Sequence, residues 1–137
     1  MKIAILGFGR EGQALYKYIK KNKGWDIWIL DKNPNILFPK NTKGVVGKDY
    51  LENLDNFDLV FRSPGIPYLL IREKVKDESK ISSMTKLFFG SFDPAQDKPK
   101  IIGITGTKGK GTTSTLIYQM LKNSGFSVFY DDSGSIG

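Results

Sequence analysis

The chain has 137 residues and 15.4 kDa, 39% hydrophobic and 26% charged, which predicts about one domain with a real core rather than a disordered chain. It holds no Cys and no His, which excludes a disulfide framework, a zinc–thiolate site, a cysteine nucleophile and a histidine base; any metal would be a hard, oxygen-held cation such as Mg²⁺. Basic residues exceed acidic ones by 21 − 14 = 7, yet they run from Lys2 to Lys122 without a nucleic-acid-binding signature, so they read as solvated surface suited to small anions.

In chain order, Ile3-Ala4-Ile5-Leu6 is a short apolar run, the pattern of a strand buried on both faces. Ala14, Leu15, Tyr18 and Ile19 then recur at helical spacing, and Gly24 closes that helix. Ile27-Trp28-Ile29-Leu30 is a second strand ending at Asp31, with Asn33-Pro34 as a turn. Val45-Val46 is a short third strand, and Leu59-Val60-Phe61 a fourth, ended by Ser63-Pro64-Gly65-Ile66-Pro67. A helix is expected over Tyr68 to Asp77, a brief strand near Ile81 and a helix around Lys86 to Phe89. The polar run from Gly90 to Lys100, with Pro94 and Pro99, has no periodicity and reads as a linker. Beyond it a strand is expected over Ile101 to Thr105, a helix over Thr112 to Asn123 and a strand over Ser127 to Tyr130. The alternation predicts an α/β, Rossmann-like doubly wound parallel sheet of about five strands. The expected division is 1–92 for that domain, 93–100 for the linker and 101–137 for the first βαβ unit of a P-loop ATPase domain. Met1-Lys2 leads into only a short apolar run and no 18-residue apolar stretch exists, so no signal peptide or membrane span is expected and the location is read as cytoplasmic.

Two glycine-rich loops carry the chemistry. Gly7-Phe8-Gly9-Arg10-Glu11-Gly12 is a G-x-G-x-x-G loop between a strand and a helix, with an acid 19 residues past Gly12, at Asp31. Gly7 permits the tight turn, Gly9 lets backbone approach a diphosphate, and Gly12 lets helix and strand touch. The helix N-terminus then offers free N–H groups to phosphate oxygens. By itself this loop also fits a regulatory module sensing NAD(H), with Asp31 as ribose acceptor. Gly106-Thr107-Lys108-Gly109-Lys110-Gly111-Thr112-Thr113 has the chemistry of a P-loop: backbone N–H groups wrap phosphate oxygens, Lys110 supplies a point charge, and a Thr hydroxyl reaches Mg²⁺. Gly111 stands where Ser or Thr usually follows the Lys, so Thr112 is the expected Mg²⁺ ligand and Thr113 the second choice. Two phosphate loops fit one nucleotide-linked substrate plus ATP better than they fit a nicotinamide module.

The second loop, after Ile102-Gly103-Ile104-Thr105, resembles that of the Mur ligase and folylpolyglutamate synthase superfamily. Folylpolyglutamate synthases carry it near the N-terminus, whereas residues 1–105 precede it here. Those residues resemble the N-terminal domain of the Mur ligases, in the branch that adds D-glutamate to UDP-N-acetylmuramoyl-L-alanine. The matching blocks are Leu6 to Gly12, Asp31-Lys32, Asp58-Leu59-Val60, Ser63 to Pro67, Lys86 to Phe89 and Gly134-Ser135-Ile136-Gly137. The resemblance implies an ATP-dependent ligase of peptidoglycan-precursor synthesis, working through an acyl phosphate with ATP and Mg²⁺. It implies that Gly7 to Gly12 cradle the diphosphate of the UDP substrate, that Asp31 and Lys32 meet the uridine end, and that Ser63, Pro64 and Gly65 close over it. Ser135 would be a further substrate contact, and Gly106 to Thr113 would hold ATP, with Lys110 serving catalysis by its charge. Departures from the family pattern are Ser135 in place of Asn, Asp131 and Asp132 in place of small or apolar residues, and Lys86 in place of Glu. The family's magnesium-binding glutamate, modified lysine, catalytic histidine and amino-acid site would lie beyond Gly137. The chain alone is therefore expected to bind the UDP moiety without catalysing. The apolar set in residues 101–130 is expected to be covered by the first domain or by a second copy of the chain.

Overall fold

Ile3, Ala4, Ile5 and Leu6 are each no more than 1% exposed in the computed structural model, which describes residues 1–90 and 100–130. They form strand β1 (Lys2–Leu6), the centre of a five-stranded sheet. The other strands are β2 (Asp26–Asp31), β3 (Lys43–Val46), β4 (Leu59–Arg62) and β5 (Ile81–Ser82), in the order β3-β2-β1-β4-β5. Every pairing is parallel, with Ile3 beside Ile27 on one flank and beside Leu59 on the other. This is the expected doubly wound, Rossmann-like α/β fold. Its central strand needs apolar side chains on both faces because both are covered.

Alternation along the strands separates two apolar layers. Ala4, Leu6, Leu30 and Val60 meet Leu51, Leu54, Phe57, Ile71 and Val75 on one face. Ile3, Ile5 and Phe61 meet Leu15 and Ile19 of helix α1 (Arg10–Ile19) on the other, with Met84 and Leu87 of helix α3 (Met84–Gly90) beside them. The helix expected from Tyr68 to Asp77 is shorter: α2 spans Tyr68–Arg72. Lys74 N–H turns back to the Ile71 carbonyl at 3.0 Å and Val75 N–H to that of Arg72, tightening the chain out of α-helical pitch. A single 3₁₀ turn, Glu78–Lys80, follows, with the Asp77 side chain accepting from the Ser79 N–H at 2.9 Å.

The chain divides into two units, Met1–Asp93 and Pro94–Gly137. In the second, helix α4 (Lys110–Asn123) begins two residues before the expected Thr112, because Gly109 at φ +78° provides its N-cap. The strands expected over 101–105 and 127–130 do not form among the described residues. An isolated apolar stretch has no ladder to join, and here Ile101, Ile102, Phe126 and Phe129 stay more than half exposed. The expected βαβ unit is thus reduced to its helix and the glycine-rich loop before it. Tyr130 is tied to α4, its ring stacked on Tyr118 at 5.0 Å and its hydroxyl 2.8 Å from Thr115 Oγ1.

Candidate functional site

The chain passes from β3 at one edge back across β1 to β4, which opens a crevice beyond the strand C-termini, where open α/β sheets bind ligands. A cleft of about 480 Å³ lies there, lined by residues from four successive loops. Gly7, Gly9, Arg10 and Glu11 come from the β1–α1 turn, Asp31 and Lys32 from the end of β2, Tyr50 from the segment after β3, and Ser63, Gly65 and Ile66 from the end of β4.

Local backbone chemistry builds this wall. Gly7 has φ +85° and donates its N–H to the Leu30 carbonyl at 2.8 Å. A Cβ on Gly12 would lie 2.1 Å from the Gly7 carbonyl oxygen, so helix and loop approach closely only because position 12 is glycine. At Gly9 a Cβ would meet nothing within 4 Å, which leaves open space at the start of α1. No side chain caps that helix, so its first N–H groups have no side-chain acceptor. Ser63 Oγ donates to the Gly7 carbonyl at 3.2 Å and stitches the β4 loop to the glycine loop.

Of the residues expected in the first site, Gly7, Gly9, Arg10, Glu11, Asp31, Lys32, Ser63 and Gly65 are brought together around the cleft. Three of the others are not among its lining residues. Phe8 is buried, with its ring edge-on to Tyr16 at 6.0 Å and its N–H donated to Asp31 Oδ2 at 2.7 Å. Gly12 is buried against the Gly7 backbone as a packing residue, and Pro64 is exposed on the β4 turn. Ser135, with Asp131 and Asp132, lies outside the described residues. Asp31 itself is largely structural: Oδ2 accepts from Phe8 N–H and Oδ1 from Asn33 N–H at 2.8 Å, leaving one lone pair on each oxygen. Glu11 brings negative charge to the cleft, which suits a helix N-terminus but repels a diphosphate, so any contact it makes there is through backbone.

Sequence reasoning missed Tyr50 and Ile66. Neither belongs to a glycine loop or a periodic run, and only the return of the chain past β2 places Tyr50 beside Asp31. Burial, and then the Asp31 carboxylate, push the Tyr50 hydroxyl above its ordinary value of 10.0. Arg62, the last residue of β4, was also passed over, although its guanidinium holds the neighbouring turn.

In the second unit, Gly106 and Gly109 both have positive φ and bend the loop that leads into α4. Lys110 Nζ donates to the Gly106 carbonyl at 2.6 Å, which closes the loop on itself and holds the ammonium inside its curve. No side chain caps α4, while Thr112 and Thr113 stand exposed on its first turn. The hydroxyls of Ser114 and Thr115 are already engaged with the carbonyls of Lys110 and Gly111. The loop's backbone N–H groups and the Lys110 ammonium are donors of the kind phosphate oxygens accept, and the exposed Thr112 hydroxyl is an oxygen of the kind Mg²⁺ takes. No group of three or more His, Cys, Asp or Glu that could hold a metal occurs among the described residues, and no helix there is long and apolar enough to cross a membrane.

No protein-family model matches the chain. Curated relatives match it over nearly its whole length. It is 34% identical over 146 aligned residues to the UDP-N-acetylmuramoylalanine–D-glutamate ligase of Acetivibrio thermocellus, covering 99% of this chain and 30% of that protein. The enzyme of the same name from Clostridium tetani is 35% identical over 148 residues, with the same coverage. That of Thermotoga maritima is 31% identical over 136 residues, covering 94% of this chain and 31% of its own. The chain thus spans about 30% of the length of the relatives it matches.

Proposed function

We propose, on the premise that this chain is a Mur-ligase N-terminal portion, that it holds the UDP moiety of a muramoyl substrate for a ligase adding D-glutamate to UDP-N-acetylmuramoyl-L-alanine. The observation that carries the reading is the cleft of about 480 Å³ at the sheet's switch point, lined by Gly9 with its open face, the uncapped start of α1, Arg10 and Lys32. Arg10 and Lys32 supply charge-assisted hydrogen bonds to phosphate oxygens, roughly twice as strong as neutral ones. Lys32, Asp31 and Tyr50 face the nucleoside end, and Ser63 with Gly65 closes the opposite wall. The NAD(H) alternative would also use Asp31 as ribose acceptor, and with one lone pair left on each oxygen beside the Phe8 and Asn33 N–H bonds the carboxylate serves either nucleotide, so the titration below separates the two readings.

In this reading Gly106 to Thr113 cradle the phosphates of ATP, Lys110 neutralises charge on the transferring group, and Thr112 is a ligand of Mg²⁺. Bound MgATP would supply the phosphoryl group that activates the substrate carboxylate for attack by the D-glutamate amine. The 1–92 segment is the substrate domain, 93–100 the linker and 101–137 the start of the ATP domain. The ligase works in the cytoplasm, without membrane or nucleic acid, and these 137 residues bind but do not catalyse. The exposed Ile101, Ile102, Leu116, Met120 and Phe129 promote pairing of two copies, so light scattering should find a dimer at high concentration that is lost when residues 101–137 are removed.

The deciding experiment is an NMR titration. UDP should shift the amides of residues 7–12 and 63–65 at lower concentration than NADH does. Preferential perturbation by NADH would reverse the assignment.

A further inference from the structure

The turn that closes the cleft opposite the glycine loop is held by a side chain that does not itself line the cleft. Arg62 Nη1 donates to the Ile66 carbonyl at 2.8 Å and, at 3.4 Å, to that of Pro64. The backbone donors of this turn are nearly all committed. Ser63 N–H donates to the Leu6 carbonyl at 3.1 Å, Ile66 N–H to the Ser63 carbonyl at 3.1 Å, and Pro64 has none. Only the Gly65 N–H has no protein acceptor among the described residues, and Gly65 lines the cleft. In a trans peptide the carbonyl and the following N–H point in opposite directions. A guanidinium that draws the Pro64 carbonyl toward itself therefore turns the Gly65 N–H away from itself.

We propose that Arg62 is a positioning residue: the two N–H groups of its Nη1 fix the Ser63–Ile66 turn so that the Gly65 N–H is presented as a donor to an anionic oxygen of the nucleotide diphosphate in the cleft. The inference rests on the UDP reading above, but the clamp can be tested separately from it. Both bonds leave Nη1, whose two N–H groups are held at a fixed angle in the guanidinium plane, whereas the ammonium of a lysine is a mobile point charge on a shorter stem. The positive charge of Arg62 would otherwise be the competing explanation for any effect on anion binding.

The test compares the full chain with R62A and R62K by NMR titration with UDP and with uridine, which lacks the diphosphate. R62A should bind UDP about tenfold more weakly, the loss expected for one hydrogen bond to a charged group, with uridine binding unchanged. Its Gly65 amide should shift, its Ile66 amide, which donates to the Ser63 carbonyl within the turn, should exchange faster, and R62K should stay close to R62A. Recovery in R62K would mean that charge alone acts, which overturns the clamp. Equal weakening of UDP and uridine, or unchanged UDP affinity in R62A, overturns it as well. If the parent chain does not bind UDP at all, the ligase reading fails. The clamp then stands or falls on the Ile66 amide, with unchanged exchange in R62A refuting it.

Discussion

Replacing Gly12 and Gly9 separately with alanine pulls apart two roles that the glycine loop combines. Alanine is the better helix former by about 1 kcal/mol, so propensity alone predicts that Gly12→Ala stabilises α1. The space at that position says otherwise. The new Cβ would sit 2.1 Å from the Gly7 carbonyl oxygen and 3.1 Å from its carbon, where contacts below 3.0 Å essentially do not occur. Both atoms are backbone, and Gly7 is anchored to Leu30 and Ser63, so neither can swing aside as a flexible side chain would. Overpacking of this kind costs about 1–3 kcal/mol after the propensity gain, a fall of about 5–20 °C in Tm for a unit of this size. Gly9→Ala meets nothing within 4 Å and should change stability by less than about 1 kcal/mol. Its methyl group enters the cleft, however, and should weaken UDP binding about tenfold, or ~1.4 kcal/mol. Thermal unfolding followed by circular dichroism, with UDP affinity by calorimetry, reads both effects. A Gly12→Ala chain as stable as the parent refutes the close-packing argument, and a Gly9→Ala chain with full UDP affinity refutes the placement of the phosphates.

Asp31→Asn should lose about 1–3 kcal/mol in denaturant unfolding, because an amide NH₂ would replace an oxygen that accepts from Phe8 or Asn33; unchanged stability would show that those bonds contribute little. The Trp28 indole, and then Lys43, hold the Asp26 carboxyl below its ordinary value of 3.8. Its folded form therefore favours the charged state, so the stabilisation is complete above about pH 4 and disappears as the pH falls through the lowered value. Asp26→Asn should match the parent in strong acid and be less stable near neutrality, by a margin that shrinks in salt because the pair is about half exposed. MgATP should bind these 137 residues far more weakly than a full-length ligase, each missing contact costing about tenfold at ~1.4 kcal/mol. Micromolar binding that Lys110→Ala abolishes would show instead that the loop and α4 form a self-sufficient nucleotide site.

Local pattern carried the elements of the first unit. The apolar run Ile3 to Leu6, the spacing of Leu15 and Ile19, the glycines at 7, 9 and 12 and the turn after Phe61 each act over a few residues, so strand, helix and glycine loop were legible without tertiary information. The matching of short blocks such as Ser63-Pro64-Gly65-Ile66-Pro67 carried the resemblance that similarity over 99% of this chain, to 30% of each D-glutamate ligase, bears out. Hydrogen-bond choice and side-chain direction were decided only in three dimensions. Asp31 is spaced as a ribose acceptor, yet folding brings the Phe8 and Asn33 N–H groups to its two oxygens first. Phe8 belongs to the loop by sequence, but its ring finds Tyr16 and its N–H finds Asp31. Tyr50 enters the cleft because the segment after β3 returns past the end of β2, and Arg62 holds the Ser63–Ile66 turn because β4 lies beside β1. The segments 101–105 and 127–130 show the same limit from the other side. Their residues favour strands, but a strand exists only where a neighbouring backbone completes its hydrogen bonds, and a one-dimensional pattern cannot supply that neighbour.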